Sequence, residues 1–244
     1  MEDLVKFDKF SDISSFLVTK ENFKADQIPE NAIYLFDKPE GWSSFKLVKR
    51  IKYITKSKRV GHAGTLDPLA TGLMIVCTGK CTKMIEQIQD MYKVYTGLFN
   101  FGKTTPSFDL ETPFDMEYEY DHIMEDDINK AVLGFTGVIT QTPPIYSAIK
   151  VNGTRAYKMA RQGETVEIKS RQINIYSFQV EGQLPHLNFE VNCSKGTYIR
   201  TLAHDFAKEL KSGCYLTELR RTQIGDFNIN NAFDINEFQR ISEL

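Results

Sequence analysis

With 244 residues, 41% of them hydrophobic and 25% charged, the chain is long enough for one sizeable globular domain with appendages. No stretch approaches a transmembrane span, and the acidic start Met1-Glu2-Asp3 lacks the basic and apolar regions of a signal peptide, so a cytoplasmic protein is expected. The net charge of −2 gives no hint of a polyanionic partner, and four cysteines (Cys77, Cys81, Cys193, Cys214) without a CxxC pair or zinc-site spacing read as buried, reduced small hydrophobes.

Residues 1–30 alternate polar and apolar groups weakly and read as an extension, without chemistry of its own, before a domain over 31–244. Ile33-Tyr34-Leu35-Phe36 has strand character, and Asp37-Lys38-Pro39-Glu40-Gly41 is a turn. Ser43 or Ser44 can then cap a helix with Phe45, Leu47, Val48, Ile51 and Ile54 inward and lysines outward. From Lys38 to His62 there are eight Lys or Arg against one acid, Glu40, so overall charge hides a basic patch.

Gly61 to Gly72 reads Gly-His-Ala-Gly-Thr-Leu-Asp-Pro-Leu-Ala-Thr-Gly. Its glycines allow positive φ or close approach, and Pro68 biases Asp67 towards an extended conformation. A stiff loop with Asp67 at its tip is predicted. Its carboxylate could merely hydrogen-bond its own backbone, as in many Asp-Pro turns, or face a ligand.

Leu73 to Cys77 is an unbroken apolar run of buried-strand type, and Lys80 to Gln89 a short helix with Ile85 and Ile88 inward, on which Cys77 and Cys81 could share a face. Tyr92 to Gly102 alternates, placing Tyr95, Gly97, Phe99 and Phe101 on one side of a strand. From Thr104 to Asp127 there are nine acids and no Lys or Arg, and the acidic tract that follows the turn over Phe101–Glu111 reads as an exposed loop. Ile128, Ala131, Val132 and Phe135 predict a helix ending at Gly134 or Gly137.

Gln141-Thr142-Pro143-Pro144-Ile145-Tyr146-Ser147-Ala148-Ile149-Lys150 leads into Val151-Asn152-Gly153, a hairpin turn signal. Lys150, Arg155, Tyr157, Lys158 and Arg161 follow, with Gly163 closing. Across Ala148–Arg171 six bases face Glu164 and Glu167, and basic residues interleaved with aromatics suit RNA phosphates and unstacked bases. Leu187, Phe189, Val191 and Cys193 alternate with polar residues as a half-buried strand. It runs into Ser194-Lys195-Gly196-Thr197-Tyr198-Ile199-Arg200, before a helix with Leu202, Ala203, Phe206, Ala207 and Leu210 inward. Strands and helices are interspersed without regular βαβ alternation. An α/β mixed fold is therefore expected, with a largely antiparallel twisted sheet, helices on its faces and the site in a central cleft.

The Gly61–Gly72 loop and the Ser194–Arg200 segment resemble two signature motifs of the TruB family of tRNA pseudouridine synthases. Asp37-Lys38-Pro39, Lys93-Val94-Tyr95, the turn after Phe101 and Leu216 to Phe227 resemble others in the family's order. The resemblance implies the pseudouridine synthase fold and isomerisation of uridine 55 in the tRNA T-loop, without cofactor or metal. It makes Asp67 the essential catalytic residue, Tyr95 the active-site tyrosine and Arg200 the partner that keeps the Asp67 carboxylate charged. Tyr95 read alone would be one more strand aromatic. By the same resemblance His62 could wedge into the T-loop, while Leu66 and Leu219 line the base pocket beside Tyr95. Lys38 supports the loop and neutralises phosphate, unless it is a solvated turn lysine. Residues 141–165 form an insertion in which Lys150, Arg155 and Tyr157 clamp the T-arm, and Lys195, Arg220 and Arg221 lie near RNA. Too few residues follow Phe227 for the C-terminal PUA domain of many relatives. A monomer is expected, with tRNA as partner and no membrane. The rival readings are a catalytically silent tRNA-binding protein and a carboxylate hydrolase, for which no second acid or base is evident.

Overall fold

The computed structural model describes residues 11–147, 149–151, 153–163 and 167–243. They fall into two compact units: one runs up to Met91 and resumes at Arg220, the other is Tyr92–Leu219.

The centre of the first unit is the antiparallel pair Ile33–Lys38 and Thr71–Thr78, in register from Ile33 opposite Cys77 to Lys38 opposite Gly72. Ile33, Leu35, Leu73, Ile75 and Cys77 enter one core cluster, and Tyr34, Phe36, Met74 and Val76 enter the other. Burial on both faces is why these segments read as unbroken apolar runs. Val60–His62 pairs antiparallel with Thr71–Thr78, while Leu17–Val18 and Phe233–Asp234 lie parallel to Ile33–Lys38. Arg220 and Arg221 lie parallel to Thr71 and Gly72. Of the N-terminal stretch read as an extension, Ile13 and Val18 are buried in the two clusters, and residues 1–10 lie outside the described residues.

Helix Ser44–Thr55 is capped by Ser43, whose hydroxyl accepts from the Lys46 N–H at 3.1 Å, and it ends at Lys56, in the left-handed conformation. Leu47 and Ile51 are buried, with Val48 and Ile54 against the same core. Phe45, expected inward, is instead 75% exposed, because Ser44, Leu47 and Ile51 already occupy the core-facing side. The stretch from Lys80 divides into a 3₁₀ segment, Gly79–Met84, and a helix, Ile85–Asp90, with Ile88 buried. Cys77 and Cys81 therefore share no helix face: one is in a strand, the other in the 3₁₀ turn. Both are buried free thiols, and burial pushes them up to about 12 and about 11.

In the second unit Lys93–Phe101, His186–Cys193, Arg171–Gln183 and Gly137–Gln141 pair antiparallel in that order. Helix Ile199–Glu209 lays Leu202, Ala203, Phe206 and Ala207 into the core, and a second helix spans Glu125–Gly134. The Phe206 ring lies 5.3 Å from Phe178, 5.8 Å from Phe99 and 6.0 Å from Phe135, and Phe99 stacks on Phe189 at 4.2 Å. The acidic tract after Glu111 is exposed as expected, while the turn before it is pinned. Lys103–Thr104 pairs antiparallel with Met116–Glu117, and Thr105, Ser107 and Asp109 are buried. Lys150–Val151 and Thr154–Arg155 form a short hairpin before the helix Ala156–Arg161. Asn152 of its turn signal, Ala148 and Glu164 lie outside the described residues.

The architecture is thus mixed α/β with mostly antiparallel pairing. Among the described residues no helix is long and apolar enough to cross a membrane, and no three or more His, Cys, Asp or Glu gather as a metal ion would need. The two phenylalanines make a stability contrast. Phe206→Ala should cost about 3–5 kcal/mol in urea unfolding, as for other large buried aromatics. Phe45→Ala should stay within about 0.5 kcal/mol of wild type, as exposed substitutions do.

Candidate active site

The site is built from the loop that carries Asp67. At its start, the Ala63 N–H donates to the Ile75 carbonyl at 2.9 Å, continuing the Val60–His62 pairing. At its tip the chain turns tightly, with the Ala70 N–H donating to the Asp67 carbonyl at 3.2 Å. Gly72 closes the loop at φ +104°, where a Cβ would stand 2.3 Å from the Arg221 carbonyl oxygen. Only glycine fits there.

Three buried polar side chains hold the backbone in between. The Ser44 hydroxyl accepts from the Leu66 N–H and donates to the Leu66 carbonyl, both at 2.9 Å. The Lys38 ammonium, fully buried, donates to the carbonyls of Trp42 at 2.7 Å, Pro39 at 2.9 Å and Pro68 at 3.2 Å. The Arg221 guanidinium, 1% exposed, donates to the carbonyls of Leu73 at 2.8 Å, Gly64 at 3.2 Å and Thr65 at 3.5 Å. The Gly41 N–H adds a bond to Pro68 at 2.9 Å. Leu66 is buried beneath the tip, and Asp67 is half-buried.

Of the two alternatives for Lys38, the structure shows the loop support and not the solvated turn lysine, and burial pushes its ammonium down to about 8, opposed first by the attraction of Asp67. Arg221, read as lying near RNA, is instead a buried strut. Sequence reasoning missed that role because a paired Arg-Arg looks the same whether it faces solvent or core. It also took Ser44 only for a helix cap; the cap is Ser43, which frees Ser44 for the loop.

Arg220 points the other way along the strand. Its two terminal nitrogens bind the Asp37 carboxylate at 2.6 and 3.1 Å, and its side chain stays 40% exposed. His62 is half-buried opposite Val76. Desolvation holds its imidazole below the usual range, a Gly64 backbone bond opposes this and the Arg221 charge adds to it, so the ring is neutral at pH 7. Lys38, His62, Leu66 and Arg220 thus gather with Asp67 in the first unit.

The remaining candidates belong to the second unit. Tyr95 is 9% exposed on its strand, opposite Val191. Arg200 sits in the first turn of the helix, which begins at Ile199, earlier than the apolar spacing indicated. The preceding turn is fixed by Gln141, whose side-chain amide accepts from the Tyr198 N–H at 2.7 Å and donates to the Tyr198 carbonyl at 3.0 Å. Arg171 donates to the Gly196 carbonyl and lies 5.1 Å from the centre of the Tyr198 ring. So placed, the Arg200 side chain is 3% exposed. It donates to the Tyr146 carbonyl at 2.8 Å and the Ser107 carbonyl at 3.0 Å, and its Nε stands 3.5 Å from the Asp109 carboxylate. Asp109 and Gln141 carried no sequence signal, since one sits in an acidic run and the other beside a proline pair. Lys150, Arg155 and Lys195 are exposed, while Tyr157 and Leu219 are half-buried.

A rigid loop presenting one half-buried carboxylate, with an ammonium near it, can deliver that carboxylate to a substrate in a fixed pose. Residues 52–199 match the model of the TruB family pseudouridylate synthase N-terminal domain. The chain is 51% identical, over 86% of its length and 95% of the relative's, to tRNA pseudouridine synthase B of Flavobacterium johnsoniae. It is 46% identical to the protein of the same name from Phocaeicola vulgatus, over 89% of this chain and 93% of that one. Among solved structures it resembles a chain in the crystal structure of a Cbf5–Nop10–Gar1 complex, with a TM-score of 0.68 and 27% identity, covering 91% of this chain and 57% of that one. The matched family model spans more than half of the sequence and the relatives are aligned nearly end to end, so the chain belongs to the TruB family of pseudouridylate synthases.

Proposed function

We propose that this pseudouridine synthase acts on tRNA, at uridine 55 of the T-loop, with Asp67 as its essential catalytic residue. The observation that carries the reading is the buried anchoring of the Asp67 loop by Ser44, Lys38 and Arg221, which spends three buried polar groups on fixing one carboxylate. The relatives' shared name supports tRNA as substrate. In the reaction the C1′–N1 bond breaks, the uracil turns, C1′ bonds to C5, and the C5 proton is lost as N1 gains one. Atoms balance with no redox change. Asp67 acts as nucleophile at C1′ or as base at the ribose C2′, and Arg200, held by Tyr146, Ser107 and Asp109, is the second residue that the family resemblance assigns to the reaction.

The target base must leave its stack, at a cost of a few kcal/mol that stacking and backbone contacts offset. Leu66, Tyr95 and Leu219 are the apolar residues offered to the base, and His62 fills the vacated place in the T-loop. Lys150, Arg155 and Tyr157 grip the T-arm on the protruding hairpin, and Lys195 and the exposed edge of Arg220 meet phosphates.

Three measurements test this. With an unmodified tRNA transcript tritiated at uridine C5, the wild type should release tritium, while Asp67→Ala should release none yet still bind the tRNA. Binding without release by the wild type would favour the catalytically silent tRNA-binding protein.

Arg200→Lys keeps the charge but loses the planar fork that reaches Tyr146, Ser107 and Asp109. It should slow single-turnover isomerisation by about 100-fold, the scale of an ångström's misplacement in an active site. Its tRNA affinity should stay near wild type, and a wild-type rate would remove Arg200 from the mechanism.

Lys38 gives a pH dependence. Above about 8 its amine loses a proton and with it one of its three N–H bonds, which tie the Pro39–Trp42 turn to the Pro68 carbonyl of the loop. The unfolded amine holds its proton until about 10.5, so between these values the unfolded chain binds more protons and this group's contribution to stability rises with pH. Slowing in that window is therefore not unfolding driven by Lys38. The single-turnover rate should fall as pH rises through about 8, and Lys38→Met, with no proton to lose there, should lack that limb. A Lys38→Met profile that falls like wild type assigns the limb elsewhere.

A further inference from the structure

The helix Ser44–Thr55 uses one side to hold the Asp67 loop and the core, and among the described residues its opposite side has no partner that accounts for its composition. At 100° per residue, Ser44, Leu47 and Ile51 fall on the inner side, and Phe45, Lys49, Lys52 and Tyr53 on the outer. Phe45 is 75% exposed and Tyr53 73% exposed, with Lys49 between them at i+4 and i+8 spacing. Lys46 and Lys52 flank this row, also exposed. Residues 41–60 contain no Asp or Glu at all. The helix packed alongside, Ile235–Ser242, carries Glu237, but that carboxylate is paired with Lys20 at 2.8 Å. Beside the row, the Lys46 ammonium is held 4.2 Å from the centre of the Trp42 ring, and Arg50 lies 5.6 Å from that of Tyr53.

Among the described residues no Asp or Glu forms an ion pair with Lys46, Lys49 or Lys52, and the two rings on this face bury little apolar surface. They match what an RNA strand offers: phosphates for the lysines and π-faces for the rings. Phe45 and Tyr53 are eight residues apart, a rise of about 12 Å, or roughly three to four nucleotide steps of a stacked strand. We propose that the outer face of helix Ser44–Thr55 is a second RNA-binding surface, distinct from the Asp67 loop. Lys46, Lys49 and Lys52 take phosphates there, and Phe45 and Tyr53 stack on unpaired bases. An RNA strand is favoured over a protein partner because the face has lysines without acids and two separated rings, not a continuous apolar patch.

The test uses the full chain and an unmodified tRNA transcript, with dissociation constants measured by filter binding across a salt series. The Phe45→Ala/Tyr53→Ala double variant should keep its melting temperature and bind at least tenfold more weakly, on the scale of lost base–aromatic stacking. Lys46→Gln/Lys49→Gln/Lys52→Gln should lower the magnitude of the slope of log K against log salt by about two to three, one phosphate contact per lysine. Wild-type affinity and slope in both folded variants would overturn the proposal, including the case in which the face docks a protein instead. The inference rests on the protein acting on RNA but fails separately from the uridine 55 reading. Tritium release by wild type with unaffected variants sinks only the second surface. Absent release with impaired binding in the variants sinks only the reaction.

Discussion

Everything at the Asp67 loop depends on placing cationic and hydroxyl side chains inside the protein and aiming them at backbone carbonyls. A loop with its carbonyls turned inward would leave buried acceptors unsatisfied, at a cost of about 1–3 kcal/mol each. Arg221, Lys38 and Ser44 supply the missing donors. Burying a guanidinium and an ammonium is itself unfavourable, and repayment comes only from well-placed acceptors and nearby negative charge. The downward shift of Lys38 records that cost, and the opposing influence of Asp67 shows where part of the repayment lies. The Asp67 carboxylate and its scaffold are thus electrostatically tied to each other.

The second unit applies the same solution to Arg200. Its guanidinium is withdrawn from solvent into a nest of two carbonyls and the Asp109 carboxylate. The turn before it is clamped by Gln141 on both backbone groups of Tyr198. In each unit the residue proposed for the chemistry is carried by a short segment, and neighbours far away in sequence fix that segment's backbone. Catalysis by positioning requires this, because an active-site displacement of an ångström costs orders of magnitude in rate.

Helix Ser44–Thr55 joins the two themes of scaffold and surface. Ser44 reaches the loop from its buried side, while its outer side collects the lysines and the two exposed rings. One helix can therefore hold the catalytic loop rigid while offering a separate positively charged face, because the two functions lie about half a turn apart around its axis.

The sequence by itself determined the loop and its carboxylate, the strand character of Ile33–Phe36 and Leu73–Cys77, the alternation of Lys93–Phe101 and His186–Cys193, and the helices Glu125–Gly134 and Ile199–Glu209. These are local matters: glycine and proline restrict backbone angles, and apolar periodicity reports burial. Tertiary structure alone decided what polar side chains in ordinary contexts do. Lys38 became an anchor, Arg221 a strut and Ser44 a clamp, Asp109 and Gln141 joined the setting of Arg200, and Phe45 was left outside. The physical reason is that a hydrogen bond between residues 22 to 183 positions apart leaves no periodic trace in the chain. Whether a lysine or arginine is buried depends on which carbonyls the fold brings to it, and only the folded backbone supplies them.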